Sequence, residues 1–279
     1  MKTTYYVNEK SAYYFFRAND LSRHHGKPFN LLVTISFDCN NSKQHYQKVF
    51  SLINRAKNVW IRNYNIKNGL PREAPRSACV FENPCFNVHA HWQVYIPPQL
   101  IDQFKAKLPR WLKRYQGVIY DDSIDIQHIN PHTLKTVANY MMKGIKPEWQ
   151  AFYHLQGRAT YQGAVQGQRV KLSRNLGRTA LKRSGFNAAT QRHEWEALYP
   201  ELSSQYSKPA NWSIEEVIPQ VVTERKFPSM KEFQRMLWKN ERQRYLASTS
   251  ISTRSSARLN ALIAKQLGYS IGSIGNRDW

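Results

Sequence analysis

The sequence is short of cysteine, of long apolar runs and of acid, and each shortage excludes something. Its three cysteines (Cys39, Cys79 and Cys85) are an odd set with no paired spacing. That argues against a disulfide framework and for a reducing, cytoplasmic compartment. No apolar run approaches the roughly 18 residues of a membrane-spanning helix, so no membrane partner is expected. The opening stretch MKTTYYVNEKSAYYFF lacks the basic, apolar, small-residue order of a secretory signal. No G-x-x-x-x-G-K-[ST] loop occurs, which argues against an attached helicase ATPase. No internal repeat is visible.

Acid is the telling shortage. There are 19 Asp+Glu against 41 Lys+Arg, a formal net charge of +22 over 279 residues. The excess is evenly spread, with 21 basic and 10 acidic residues up to position 150 and 20 and 9 after it. A field of that sign attracts a polyanion, nucleic acid first among them. Membrane-surface and ribosome-associated proteins share this charge. At 41% hydrophobic and 13% aromatic, the chain can bury a core.

Residues 30–37, NLLVTISF, set Leu31, Val33, Ile35 and Phe37 against Leu32, Thr34 and Ser36, the alternation of a strand. Residues 43–66 carry Tyr46, Val49, Phe50, Ile53, Ala56, Trp60 and Ile61 at helical spacing. Residues 77–82 read as a short strand, then a turn through Asn83-Pro84, then a strand from Asn87 to Ile96. A helix is expected over 98–115, a strand over 123–129, and a helix from Asn130-Pro131 to about Gly144. Short antiparallel strands and intervening helices predict an α+β fold, a central antiparallel sheet with helices packed on one face. The texture changes near residue 165. Residues 1–165 are read as one domain and 166–279 as a mainly helical, basic accessory region. Within the latter, residues 173–186 read as a helix capped by Ser173 and ended by Gly185, 203–211 as a linker, and 228–247 and 256–267 as helices.

The chemistry concentrates on the wet face of the Asn87–Ile96 strand, which holds His89, His91, Gln93 and Tyr95. If the hairpin places Asn83 opposite Val88, Glu82 lies opposite His89 on the same face. Two imidazoles and a carboxylate suit a divalent metal and leave positions open for catalysis. A structural zinc using Cys79 and Cys85 fails in this register, because Cys79 faces the other way. Downstream, Tyr140 and Lys143 share a face of the expected helix. A tyrosine is a poor nucleophile when protonated, and a nearby ammonium favours the phenolate. Farther on, Arg174, Arg178 and Lys182 fall at i, i+4 and i+8, with Arg183 adjacent. That is a basic stripe suited to tracking DNA phosphates, or simply a solvated face. Trp149, Tyr153 and Tyr161 could stack on unpaired bases or belong to the core, and the core reading is favoured.

These pieces, in this order, resemble the HUH endonuclease superfamily, and within it the single-tyrosine initiators of rolling-circle replication. NLLVTISF is similar to the first motif of that family. NVHAHWQVYIP resembles its His-hydrophobic-His motif, and VANYMMKGI its Tyr-x-x-Lys motif. The resemblance covers roughly residues 28–150 and implies a ferredoxin-like HUH sheet. It further implies Mg²⁺ or Mn²⁺ on Glu82, His89 and His91, with His128 and His132 as competitors for the third ligand. Tyr140 would be the nucleophile and Lys143 its charge partner. The implied activity is nicking and joining of single-stranded DNA for a plasmid or phage. The implied partners are single-stranded DNA, a hairpin or duplex origin, and a host helicase supplied in trans. Two rivals stand beside this reading: a single-tyrosine HUH transposase, and a non-catalytic single-stranded nucleic-acid binder.

Overall fold

A computed structural model describes residues 2–39, 45–84 and 87–206. The helices expected at 228–247 and 256–267 lie outside the described residues, as does Cys85. Thr3–Thr4 (β1) opens the chain and α1 spans Glu9–His24. Then come β2 (Leu31–Ser36), α2 (Tyr46–Lys67), β3 (Ser77–Glu82), β4 (His89–Val94) and α3 (Ile101–Gln116). They are followed by β5 (Ile124–His128), α4 (Leu134–Met141), β6 (Val165–Gln166) and β7 (Val170–Leu172). Four short helices end the described part: α5 (Arg178–Ser184), α6 (Ala188–Gln191), α7 (Trp195–Leu198) and α8 (Pro200–Ser204).

The fold is α+β. Five antiparallel strands are ordered β5-β2-β4-β3-β7. β3 and β4 form the hairpin, and Glu82 pairs with His89 in the expected register. β2 lies on the other side of β4 and pairs Thr34 with His91. The alternation of each strand sorts its side chains onto two faces. On one face Leu31, Val33, Ile35, Phe81, Ala90, Trp92 and Val94 pack beneath α2 and α3, which bring Phe50, Ile53, Phe104 and Leu108. Cys79 is buried in this same core, away from the histidines, so it cannot join them in a zinc site.

The expectation of helices on a single face needs correction. On the opposite face Leu32, Ala78 and Val80 share a second core with Phe15, Ala18 and Leu21 of α1 and Leu134, Val137 and Met141 of α4. The physical cause is α1, a segment given no element from the sequence. Its side chains at Ala12, Phe15, Ala18 and Leu21 recur every third residue and are all fully buried. The Asn8 side chain accepts the Ser11 N–H at 2.8 Å and caps its start. Burying this stripe against the sheet offsets the polar half of the helix.

The chain past residue 165 continues into the same sheet. The expected boundary falls inside β6, which pairs with β1, while β7 pairs with β3. Leu176, Phe186 and Ala188 join the core beneath α1. Gly163 holds the approach to β6 against the hairpin. Its φ is +68°, and a Cβ there would overlap the Asn83 carbonyl oxygen, next to Glu82. Only glycine meets both conditions.

Candidate metal centre

The apolar second face gives way to polar side chains at the hairpin end of β3 and β4. Glu82, His89 and His91 meet there because direct and diagonal cross-strand neighbours share a face. One ligand atom from each lies within 4.8 Å of the others, and the group can hold a metal ion. Both His89 Nε2 and His91 Nε2 are 3.2 Å from the same Glu82 oxygen, Oε2. Ligands bound at about 2.1 Å and separated by 90–110° would stand about 3.0–3.4 Å apart, so the spacing fits one shared ion. The other Glu82 oxygen, Oε1, is buried and has no hydrogen-bond partner among the described residues. An orphaned carboxylate oxygen beside two imidazoles is a donor set that could hold a metal ion.

The outer contacts orient the rings for this. His89 Nδ1 lies 3.1 Å from the Asn87 carbonyl oxygen. A carbonyl only accepts, so Nδ1–H donates, the arrangement that turns Nε2 toward Glu82. His91 Nδ1 lies 3.1 Å from the Thr34 hydroxyl on β2, which leaves its Nε2 facing Glu82. Burial pushes the His91 imidazole down to about 4, despite the opposing pull of Glu82. His91 is therefore neutral at pH 7 and competent to bind metal.

Tyr140 and Lys143 arrive from α4 and the turn after it. The helix ends at Met141, earlier than expected, and Lys143 N–H donates to the Tyr140 carbonyl at 3.2 Å. The turn is pinned by Val7, whose N–H donates to Gly144 O at 2.8 Å and whose carbonyl accepts from Lys146 N–H at 3.1 Å. The Tyr140 hydroxyl stands 3.4 Å from His91 Nε2. Lys143 Nζ lies 4.1 Å from the centre of the Tyr140 ring and 2.9 Å from Glu82 Oε2.

Burial would raise the Glu82 carboxyl, but Lys143 and then His91 draw it well below the usual range. Burial also raises the Tyr140 phenol, and Lys143 only partly offsets it. The expected help to the phenolate is thus outweighed by burial, to which the negative charge of Glu82 adds. Lys143 itself is disfavoured by burial yet raised overall by Glu82, so it stays charged.

Thr34 and Arg169 were missed from the sequence. Thr34 sits on the expected wet face of its strand, but its partner depended on strand order. Arg169 is 3% exposed and donates to the carbonyls of Phe81, Gln162, Thr4 and Gly163, tying the loop before β7 to the strand that carries Glu82. Nothing local in the sequence marks it.

The other candidates lie elsewhere. His128 is exposed, 3.2 Å from Lys105 Nζ. His132 pairs with Glu196 at 3.6 Å and packs on Trp195. The basic stripe is not one helix: Arg174 lies in a 3-10 turn, Gly177 intervenes, and α5 begins at Arg178. Arg174, Arg178 and Arg183 line a common open pocket of about 810 Å³ that Lys182 does not line. Trp149 and Tyr153 pack partly buried against the α1 core. Among the described residues no helix is long and apolar enough to cross a membrane. No known family model matches the chain, and no curated protein is detectably similar to it.

Proposed function

We propose that this chain is a metal-dependent HUH endonuclease of the single-tyrosine, replication-initiator type, which nicks and rejoins single-stranded DNA. The observation that carries the reading is the approach of the Tyr140 hydroxyl to His91 Nε2. A nucleophile from α4 meets a metal-competent cluster whose nearest residue lies 49 positions earlier. A Mg²⁺ or Mn²⁺ ion on Glu82, His89 and His91 would polarise the scissile phosphate. Tyr140 loses its proton and its oxygen attacks phosphorus. The P–O3′ bond breaks and the departing oxygen leaves as a 3′-hydroxyl. The 5′-phosphate stays on Tyr140, and attack by a 3′-hydroxyl reverses the step without ATP. Lys143 offsets negative charge where phosphate and phenolate meet.

The rival in which the sheet binds bases without chemistry needs an open, aromatic sheet face. Here α1 and α4 pack on that face. A labelled single-stranded oligonucleotide incubated with the protein and Mn²⁺, then run on a denaturing gel, separates the readings. The expected products are a downstream fragment linked to the protein through its 5′-phosphate and an upstream fragment with a free 3′-hydroxyl. Binding without either product, across oligonucleotides drawn from the element that encodes the chain, would refute the enzyme.

The pocket of Arg174, Arg178 and Arg183 is proposed to hold duplex phosphates of an origin. Replacing all three by Gln should flatten the dependence of log affinity on log salt by up to about 2–3 units for duplex DNA. Lys182→Gln should change it by less. An affinity titration from low to high salt checks both, and an unchanged slope would make the pocket a solvated face.

A further inference from the structure

The side of the sheet away from the metal cluster carries a second concentration of unpaired charge. α2 and α3 lie together over the buried face, and an open cleft of about 510 Å³ runs along their outer edge. Arg55 and Trp60 of α2 line it, with Lys107, Trp111, Arg114 and Tyr115 of α3. The α3 residues recur at i, i+4, i+7 and i+8, so one helix face alternates cations with aromatic rings. No carboxylate lines the cleft. Among the described residues, none of the ion pairs uses Arg55, Lys107 or Arg114.

The aromatic residues are only partly committed to the core. Trp60, Trp111 and Tyr115 are half-buried at the margin of the packed cluster under α2 and α3. The two indoles meet edge to face, with centroids 5.9 Å apart and planes at 61°. In such a pair the ring that offers its edge has neither face covered by its partner. Lys107 Nζ stands 5.7 Å from the Trp60 ring centre, and the Arg114 guanidinium 5.7 Å from that of Tyr115. The cleft also continues. A neighbouring one of about 620 Å³ shares Arg55 and Val59 with it and adds Arg62 and Arg72. Its carboxylate, Glu73, is taken by an ion pair with Lys27.

We propose that this cleft is a binding site for single-stranded nucleic acid, separate from the metal centre. Cations spaced between half-buried aromatic rings are the chemistry that binds a phosphate chain with unstacked bases. A duplex offers no free base faces to such rings, and a bare polyanion would gain nothing from them. The site does not depend on the chain being a nuclease.

Photocross-linking of the full chain tests it. A bromodeoxyuridine-substituted oligothymidylate is bound in EDTA, so that no metal-dependent cleavage intervenes, and irradiated. The adducts are mapped by mass spectrometry. Adducts are expected at Trp60, Trp111 or Tyr115. A combined Arg55→Gln, Lys107→Gln and Arg114→Gln variant should lose them, with affinity reduced roughly tenfold at low salt and the salt slope flattened by up to about 2 units. Arg55 and Arg114 are exposed and Lys107 is half-buried, and an unchanged melting temperature confirms folding. Adducts confined to other segments would overturn the proposal. So would equal displacement of the oligonucleotide from the cleft by inorganic polyphosphate of the same charge, since the rings would then contribute nothing. Failure of the Mn²⁺ cleavage assay with these adducts present would refute the nuclease and leave the cleft standing.

Discussion

Tyr140→Phe should still bind single-stranded DNA and should form no covalent adduct. The substitution removes one oxygen. It keeps the ring that packs edge-on to His91, with centroids 5.1 Å apart, and beneath the Lys143 ammonium. The hydroxyl stands a long 3.4 Å from His91 Nε2 and shares the already paired Lys143 ammonium, so stability should change by no more than about 1 kcal/mol. The rate of adduct formation should fall by at least about 10³, the scale of losing a nucleophile. The wild-type rate should also climb with pH across neutrality, by up to about tenfold per unit, because only the phenolate attacks and burial holds the Tyr140 phenol above its usual range. Denaturing gels of protein–DNA adduct over a pH series measure both effects. Adduct at the normal rate from the Phe variant would assign the chemistry to another tyrosine.

The hairpin that builds the site was legible because its pattern has a period of two. The face of His89 and His91 follows from alternation, and one turn assumption then sets Glu82 opposite His89. Tyr140 and Lys143 could be placed on one face but not against the histidines. That meeting depends on α4 packing across the sheet and on Val7 pinning the turn after it, contacts distant in sequence. The covering of the second face was not legible at all. The buried side of α1 includes Asn19, Asp20 and Arg23, which dilute its apolar period. Asp20 and Arg23 form an ion pair at 2.9 Å, so their opposite charges offset each other inside. β7 is three residues long, too short for alternation to announce it, and exists because β3 offers it an edge. The basic stripe failed for a local reason: Gly177 separates the 3-10 turn from α5 and changes the angular spacing that an unbroken helix would have kept.

Glu82→Gln should separate the two duties of this carboxylate. As a metal ligand it supplies the only negative charge of the cluster. Its loss should weaken Mn²⁺ binding by at least about a hundredfold, beyond the 10–100-fold typical of losing a mere supporting contact. As a buried anion it also neutralises Lys143, whose side chain is only 14% exposed. Removing it leaves that ammonium without its carboxylate, and breaking a buried pair in this way costs about 3–5 kcal/mol. Lost binding in the single variant could therefore reflect a damaged fold. The double variant, Glu82→Gln with Lys143→Met, removes the stranded charge. It should recover most of the stability while Mn²⁺ affinity stays low. Lys143→Met alone leaves Glu82 buried without its ammonium, so its stability should depend more steeply on added Mn²⁺ than that of the wild type. Urea denaturation with and without Mn²⁺, alongside calorimetric titration of the ion, reads all four proteins. Wild-type Mn²⁺ affinity in the stable double variant would remove Glu82 from the ligand set. Equal stability losses in the single and double variants would show that the ion pair with Lys143 is not what makes the carboxylate necessary to the fold.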